Sequence, residues 1–248
     1  MTYCVAINLN AGAVFCSDSR TNAGVDNIST YSKMRAFGIE GERQFVVLSA
    51  GNLATTQGVI AQLEKDIRTA AQVNLYSLST LTDAADYIGS INVAVQHRHA
   101  AQGNAAMFEA SFIFGGQIGD QPPEVHLVYP QGNHITTSSD TPYLQIGESK
   151  YGKPILDRIL TPDSDLDTAA VCALVSMDST MRSNLTVGPP IEVLIYRRDS
   201  LLVERRYKFS AGSEYLREIS KRWDAALKDS FNAMPPITWG DGNGGKSG

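Results

Sequence analysis

The sequence predicts an α+β fold of four layers, in which two antiparallel sheets stack face to face and helices cover the outside of each. Three observations carry that prediction. The hydrophobic patterns run strands, two helices, strands, two helices, strands, helix, whereas a parallel sheet would alternate one strand with one helix. The chain has 248 residues, enough for one sizeable core without disulfides or a structural metal. Its 43% hydrophobic and 19% charged residues match an ordinary globular chain and exclude disorder over most of its length.

Each element has its own signal. Tyr3 to Leu9 alternates in part, Gly12 turns the chain, and Ala13 to Asp18 continues as a β-rich run. Lys33 to Ile39 and Arg43 to Ala50 read as a hairpin around Glu40-Gly41-Glu42, a meander that ends at Gly51. From Asn52, a good N-cap, the spacing becomes helical, with Val59, Ile60, Leu63 and Ile67 on one stripe. A second helix starts near Thr82-Asp83, carries Ala85, Ile88, Ile91 and Val95, and ends by Gly103. Strands return at Ala110 to Ile118, Glu124 to Tyr129, His134 to Thr137 and Tyr143 to Ile146, each bounded by turn residues. Helices follow at Lys150 to Leu160 and Asp167 to Leu185, the second capped by Asp165 or Asp167. Ile191 to Arg197, the turn Asp199-Ser200, Leu201 to Phe209 and a helix from Ser213 to Met234 complete a single domain over residues 2–234. The glycine-rich tail 235–248 cannot pack and is expected to be flexible.

Charge and cysteine usage exclude several function classes. Lys and Arg number 21 against 26 Asp and Glu, and the net charge of −5 repels a phosphate backbone, so nucleic acid is not an expected partner. Three cysteines without CxxC spacing argue against a zinc site and an extracellular disulfide framework. His126 and His134 fall on separate strands, and His97 and His99 are too close for a helical metal pair. No basic region followed by an apolar stretch opens the chain, and apolar runs such as Phe45-Val46-Val47-Leu48 are too short to span a bilayer. The expected location is cytoplasmic, with no membrane partner.

Chemistry is suggested first by Met1-Thr2. Methionine aminopeptidases remove Met1 before a small residue, which would leave Thr2 with a free α-amine. That amine has a pKa of about 7.7 to 8.0 and serves as a base for the threonine's own hydroxyl. Thr2 opens a strand, Asp18 ends the next, and Lys33 begins the third, so hairpin-connected neighbours place all three at one end of one sheet. A lysine there lowers the proton affinity of the amine and hydroxyl, and an aspartate holds the lysine. Cys4 would need the loss of Tyr3 as well to become N-terminal, and reads as a buried strand residue. Arg197-Arg198 and Arg205-Arg206-Tyr207-Lys208 make a basic hairpin, either a solvated sheet edge or a contact between subunits.

Thr2 after a removable methionine, Cys16-Ser17-Asp18-Ser19-Arg20, Lys33-Met34 and Leu48-Ser49-Ala50-Gly51-Asn52 resemble the N-terminal nucleophile signature of proteasome β-subunits and the HslV-type bacterial peptidase. Within that family, Met1 to Ile7 and Ser17 to Asn27 are most similar to the Anbu group of bacterial homologues. The resemblance implies the N-terminal nucleophile hydrolase fold and a threonine-type peptidase that cleaves amide bonds through an acyl-threonine. It also implies self-assembly of identical subunits into a ring or spiral, with no metal or organic cofactor required; an ATPase partner is not identified by the sequence. By matching residues, Thr2 would attack the carbonyl, Lys33 and the Thr2 amine would manage its proton, Asp18 would pair with Lys33, and the Gly51 amide would donate to the oxyanion. Asp178, in Met177-Asp178-Ser179, would help orient the amine, with Ser179 or Ser183 as the family's following serine. Ser149, after an intervening Glu148, would stand for the serine of the family's Gly-Ser segment. A noncatalytic scaffold subunit and an amidase for one small peptide or isopeptide are the alternative readings.

Overall fold

The computed structural model describes residues 1–22, 28–100 and 105–237. Its contacts define two units, Met1–Ser213 and the chain from Glu214 onward. In the first unit, β1 (Tyr3–Leu9) and β2 (Gly12–Asp18) form an antiparallel hairpin. Its turn requires glycine, because Gly12 has φ +139° and a Cβ there would lie 2.1 Å from the Tyr196 carbonyl. β10 (Tyr143–Gly147) pairs with the free side of β1, while β11 (Ile191–Arg197) pairs with β2 and β12 (Arg205–Phe209) with β11. The register sets Tyr3 opposite Gly147 and Asp18 opposite Ile191.

The second sheet is a continuous antiparallel meander of β5 (Met34–Ile39), β6 (Arg43–Gly51), β7 (Ala110–Ile118), β8 (Glu124–Val128) and β9 (His134–Thr136). Its first strand corrects one expectation. Asp18 and Lys33 do not lie on neighbouring strands of one sheet, because the small ribbon β3 (Arg20–Asn22) and β4 (Ile28–Thr30) carries the chain from the first sheet to the second. Phe15 and Leu194 from one sheet meet Met34, Leu48 and Ile113 from the other in the inner core. Each such side chain contributes about 1.5–3 kcal/mol through burial.

Helices complete the four layers. α1 (Leu53–Arg68) and α2 (Leu81–Ala100) cover the second sheet, burying Val59, Leu63 and Ile88 against Phe45, Phe112 and Phe114. Asn52 caps α1 by accepting from the Thr55 amide at 3.1 Å. α3 (Ser149–Ile159) lies beside β10, and α4 (Leu166–Ser183) packs on β1, β2 and β11. Asp165, not Asp167, is the α4 cap and accepts from the Thr168 amide at 2.8 Å. In the second unit, α5 (Glu214–Asn232) is laced by the i,i+4 pairs Glu218–Arg222 and Asp224–Lys228.

The strand expected from Leu201 begins only at Arg205. Leu201 has φ +46°, and the Ser200 hydroxyl turns back to the Arg197 and Leu202 carbonyls, a local hydrogen bond that competes with strand pairing. The basic hairpin finds partners within the chain, with Arg205 on Asp167 at 2.5 Å and Arg206 on Glu192 at 2.8 Å. Gly103, the Ala23 to Asn27 part of the motif and the tail beyond residue 237 lie outside the described residues. Among the described residues no helix is long and apolar enough to cross a membrane.

Candidate active site

The end of β1 meets three other segments at Thr2. Thr2 is half-buried and its carbonyl accepts from the Glu148 amide at 2.8 Å, which ties the start of the chain to the β10–α3 junction. Gly147 makes this approach feasible. It has φ +82°, and a Cβ there would stand 1.9 Å from the Thr2 carbonyl oxygen. On the other side, the Tyr3 amide donates to Asp18 Oδ1 at 3.1 Å.

Asp18 and Lys33 form a buried ion pair at 2.6 Å, with side chains 0% and 5% exposed. The aspartate reaches it from β2, and the lysine from the segment leading into β5. The Lys33 carbonyl accepts from the Ser49 amide at 3.0 Å, which fixes that segment to β6. Burial pushes the Asp18 carboxyl above its usual range, opposed by the Lys33 ammonium and by the Tyr3 and Gly188 amides. The Gly188 amide donates to Asp18 Oδ2 at 3.3 Å, so both carboxylate oxygens are engaged.

Gly51 ends β6 with φ +113°, and a Cβ there would lie 2.4 Å from the Glu109 carbonyl, so the site admits no side chain. Gly51 and Gly147 line one cavity of about 460 Å³, together with Glu109, Ser111, Tyr129 and Gln145. Its walls come from β6, β7 and β8 of one sheet and β10 of the other; Thr2 is not among them, but its carbonyl packs on the lining residue Gly147.

The remaining expected site residues stand on helices. Ser149 is the first residue of α3, and its carbonyl accepts from Gln145 Nε2 at 3.1 Å. Asp178 projects from α4 with a side chain 13% exposed; its Oδ2 lies 3.4 Å from Arg182 Nε but has no hydrogen-bond partner among the described residues. Ser179 is half-buried beside it and Ser183 is exposed. No hydrogen bond joins either helix's serine or Asp178 to the Asp18–Lys33 pair among the described residues.

Sequence reasoning missed a second network around the first strand. The Tyr3 hydroxyl shares a 2.6 Å hydrogen bond with Ser176 and accepts from Gln145 at 2.6 Å. A serine in the otherwise apolar α4 run Ala173-Leu174-Val175-Ser176-Met177 was the available signal, since a buried hydroxyl needs a partner. Cys4 is buried as expected, and burial followed by the Asp18 charge pushes its thiol well above the usual range, which suppresses the reactive thiolate.

His126 and His134, set on separate strands, are brought together with their Nδ1 atoms 3.3 Å apart. Glu124 lies on His126 Nε2 at 2.9 Å and Asp86 on His134 Nε2 at 3.1 Å. Among the described residues no group of three or more potential ligands is placed to hold a metal ion. Burial lowers the His126 pKa below 6.5, against the pull of Glu124. A depressed histidine adds stability that is fully present above its unfolded pKa of about 6.5 and is lost as pH falls through the folded value. Denaturation midpoints measured from about pH 7.5 down to pH 5 should therefore fall less steeply in His126→Gln than in the wild type.

Two stacked antiparallel sheets between helical layers, with a threonine just before the first strand and a buried Asp–Lys pair on the amide that follows it, have the architecture of the N-terminal nucleophile hydrolase fold. The family model described as "Proteasome subunit" matches residues 2–196, and the chain belongs to that family, within its Anbu branch. It is 45% identical to Anbu (ancestral beta-subunit) from Yersinia bercovieri, with a TM-score of 0.91 over 96% of this chain and 100% of that one. Anbu from Hyphomicrobium sp. strain MC1 is 44% identical, with a TM-score of 0.87 over 96% and 100% of the two chains. A structure described as the helical assembly of the Anbu complex from Pseudomonas aeruginosa is 46% identical, with a TM-score of 0.90 over 96% and 98%. No curated protein matches the sequence.

Proposed function

We propose that this chain is a threonine-type amide hydrolase whose nucleophile is Thr2 after loss of Met1. The observation that carries this reading is the buried Asp18–Lys33 pair anchored to the Tyr3 amide, one residue from Thr2. An ammonium held there lowers the proton affinity of the Thr2 hydroxyl and amine, a role that a surface lysine would perform poorly because water would screen it.

In this mechanism Thr2 Oγ attacks the substrate carbonyl carbon while its proton passes to the Thr2 α-amine. The negative charge that forms on the carbonyl oxygen is taken up by the Gly51 amide. Collapse breaks the C–N bond, the proton returns from the α-ammonium to the leaving amine, and an acyl-threonine ester remains. Water then attacks the ester with the α-amine again as base, which releases the acid and restores Thr2. Asp18 holds Lys33, while Asp178 is assigned to the orientation of the amine, with Ser149 and Ser179 or Ser183 in the family's two serine positions. The helical assembly named for the Pseudomonas relative supports self-assembly of this chain as well.

Intact mass before and after treatment with a peptide epoxyketone tests the reading, because that reagent forms its ring adduct only with a hydroxyl and a free α-amine on one residue. The expected result is loss of Met1 and one adduct mapped to Thr2. Retained Met1 with no adduct would overturn it in favour of a scaffold subunit.

A further inference from the structure

Glu192 is a buried carboxylate, 2% exposed, on β11 opposite Ser17, and it takes no part in the mechanism above. Its oxygens collect the residues that flank the Asp18–Lys33 pair. Ser19, the residue after Asp18, donates its hydroxyl to Oε1 at 3.2 Å. Ser32, the residue before Lys33, donates its hydroxyl to the Met34 carbonyl at 3.0 Å. Arg206 donates to Oε2 at 2.8 Å and extends its Nη2 to within 3.5 Å of the carbonyl of Met34, the residue after Lys33.

The geometry has a mechanical consequence. Asp18 and Lys33 come from different sheets, so their 2.6 Å contact depends on how the lead into β5 is held against β2. Ser19 holds the Asp18 side of that junction to Glu192, and Arg206, bound to Glu192, holds the Lys33 side at the Met34 carbonyl. Burial raises the Glu192 carboxyl, but the hydrogen bond and charge of Arg206 and the charge of Lys208 act against this and it stays below its usual value. The carboxylate is therefore charged at neutral pH, and Arg206 and Lys208 on β12 are the cations that face it.

We propose that Glu192 is a positioning residue that holds the Lys33 ammonium against Asp18 by tying to one carboxylate on β11 both Ser19, next to Asp18, and, through Arg206, the backbone at Met34, next to Lys33. The effect on catalysis rests on the threonine-hydrolase reading above. Loss of the tether lets the ammonium drift from its place beside Thr2, and a displacement of about 1 Å costs up to about a hundredfold in rate.

The test uses Glu192→Ala, the isosteric Glu192→Gln and the double variant Glu192→Gln/Arg206→Met, each checked for folding by its thermal melt. Two measurements are made on every protein: the pH profile of epoxyketone adduct formation at Thr2, and the protection of the Lys33 ammonium protons from exchange with water by NMR, which needs no activity. The expected result is slower adduct formation in Glu192→Gln at unchanged reagent affinity, with faster exchange of the Lys33 ammonium because its contact with Asp18 is loosened. The double variant should behave the same way, since it balances charge without restoring the tether. Recovery of the double variant, or a folded Glu192→Gln with wild-type Lys33 protection, overturns the proposal. If the wild type itself forms no adduct, the hydrolase reading fails, and the Lys33 protection alone still decides for or against the tether.

Discussion

Thr2→Ala should abolish hydrolysis and epoxyketone labelling, with a fall in kcat of about four to six orders of magnitude, while the fold is unchanged. Alanine is as permissive of Met1 removal as threonine, so the variant keeps the free α-amine and loses only the hydroxyl. This separates the nucleophile from the base, which share one residue. Thr2 is half-buried and is tied to the β10–α3 junction through its backbone carbonyl on the Glu148 amide, which alanine retains. The denaturation midpoint should therefore move by no more than about 0.5 kcal/mol. Thr2→Ser, which keeps hydroxyl and amine, should still form the adduct. Wild-type turnover in Thr2→Ala would remove Thr2 from the mechanism altogether.

Lys33→Met should have the largest effect on stability. Asp18 is fully buried and Lys33 is its only cationic partner among the described ion pairs, so deletion of the ammonium strands a carboxylate in the protein interior. Breaking such a pair from one side costs about 3–5 kcal/mol. The sign of its pH dependence follows from the same charge. Without Lys33, the folded pKa of Asp18 rises further above its unfolded value of about 3.9, so the penalty is full at neutral pH and fades as pH falls through the folded value toward the unfolded one. Urea midpoints of Lys33→Met should thus approach those of the wild type in acid. Lys33→Met/Asp18→Asn, which removes both charges, should recover much of the stability and none of the activity. A single variant as stable as wild type at neutral pH would show that the pair carries little of the local structure.

The candidate site was legible in the sequence to different depths. Thr2, Asp18, Lys33 and Gly51 stand in short local motifs, and it is their combination near the start of the chain that draws attention to them, since a strand-end lysine or a glycine at a strand-to-helix junction is ordinary by itself. Ser176, Gln145 and Glu192 were not legible, because each acts through a partner more than a dozen residues away, such as Tyr3 to Ser176 and Ser19 to Glu192. His126 and His134 show the same limit, since neither is remarkable until diagonal placement on β8 and β9 sets their rings face to edge.

The succession of elements and the local chemistry at their ends follow from short-range residue patterns. Hydrophobic period, cap residues such as Asn52 and Asp165, and glycines such as Gly12 and Gly41 act over a few residues, so they survive without knowledge of the fold. That β2 and β5 belong to different sheets, and so that Asp18 and Lys33 meet across a junction rather than along one sheet edge, emerges only once the chain is folded. The physical reason is that this pairing is long-range. It depends on the burial of Phe15 and Met34 in one shared core, a stabilisation that no local window contains.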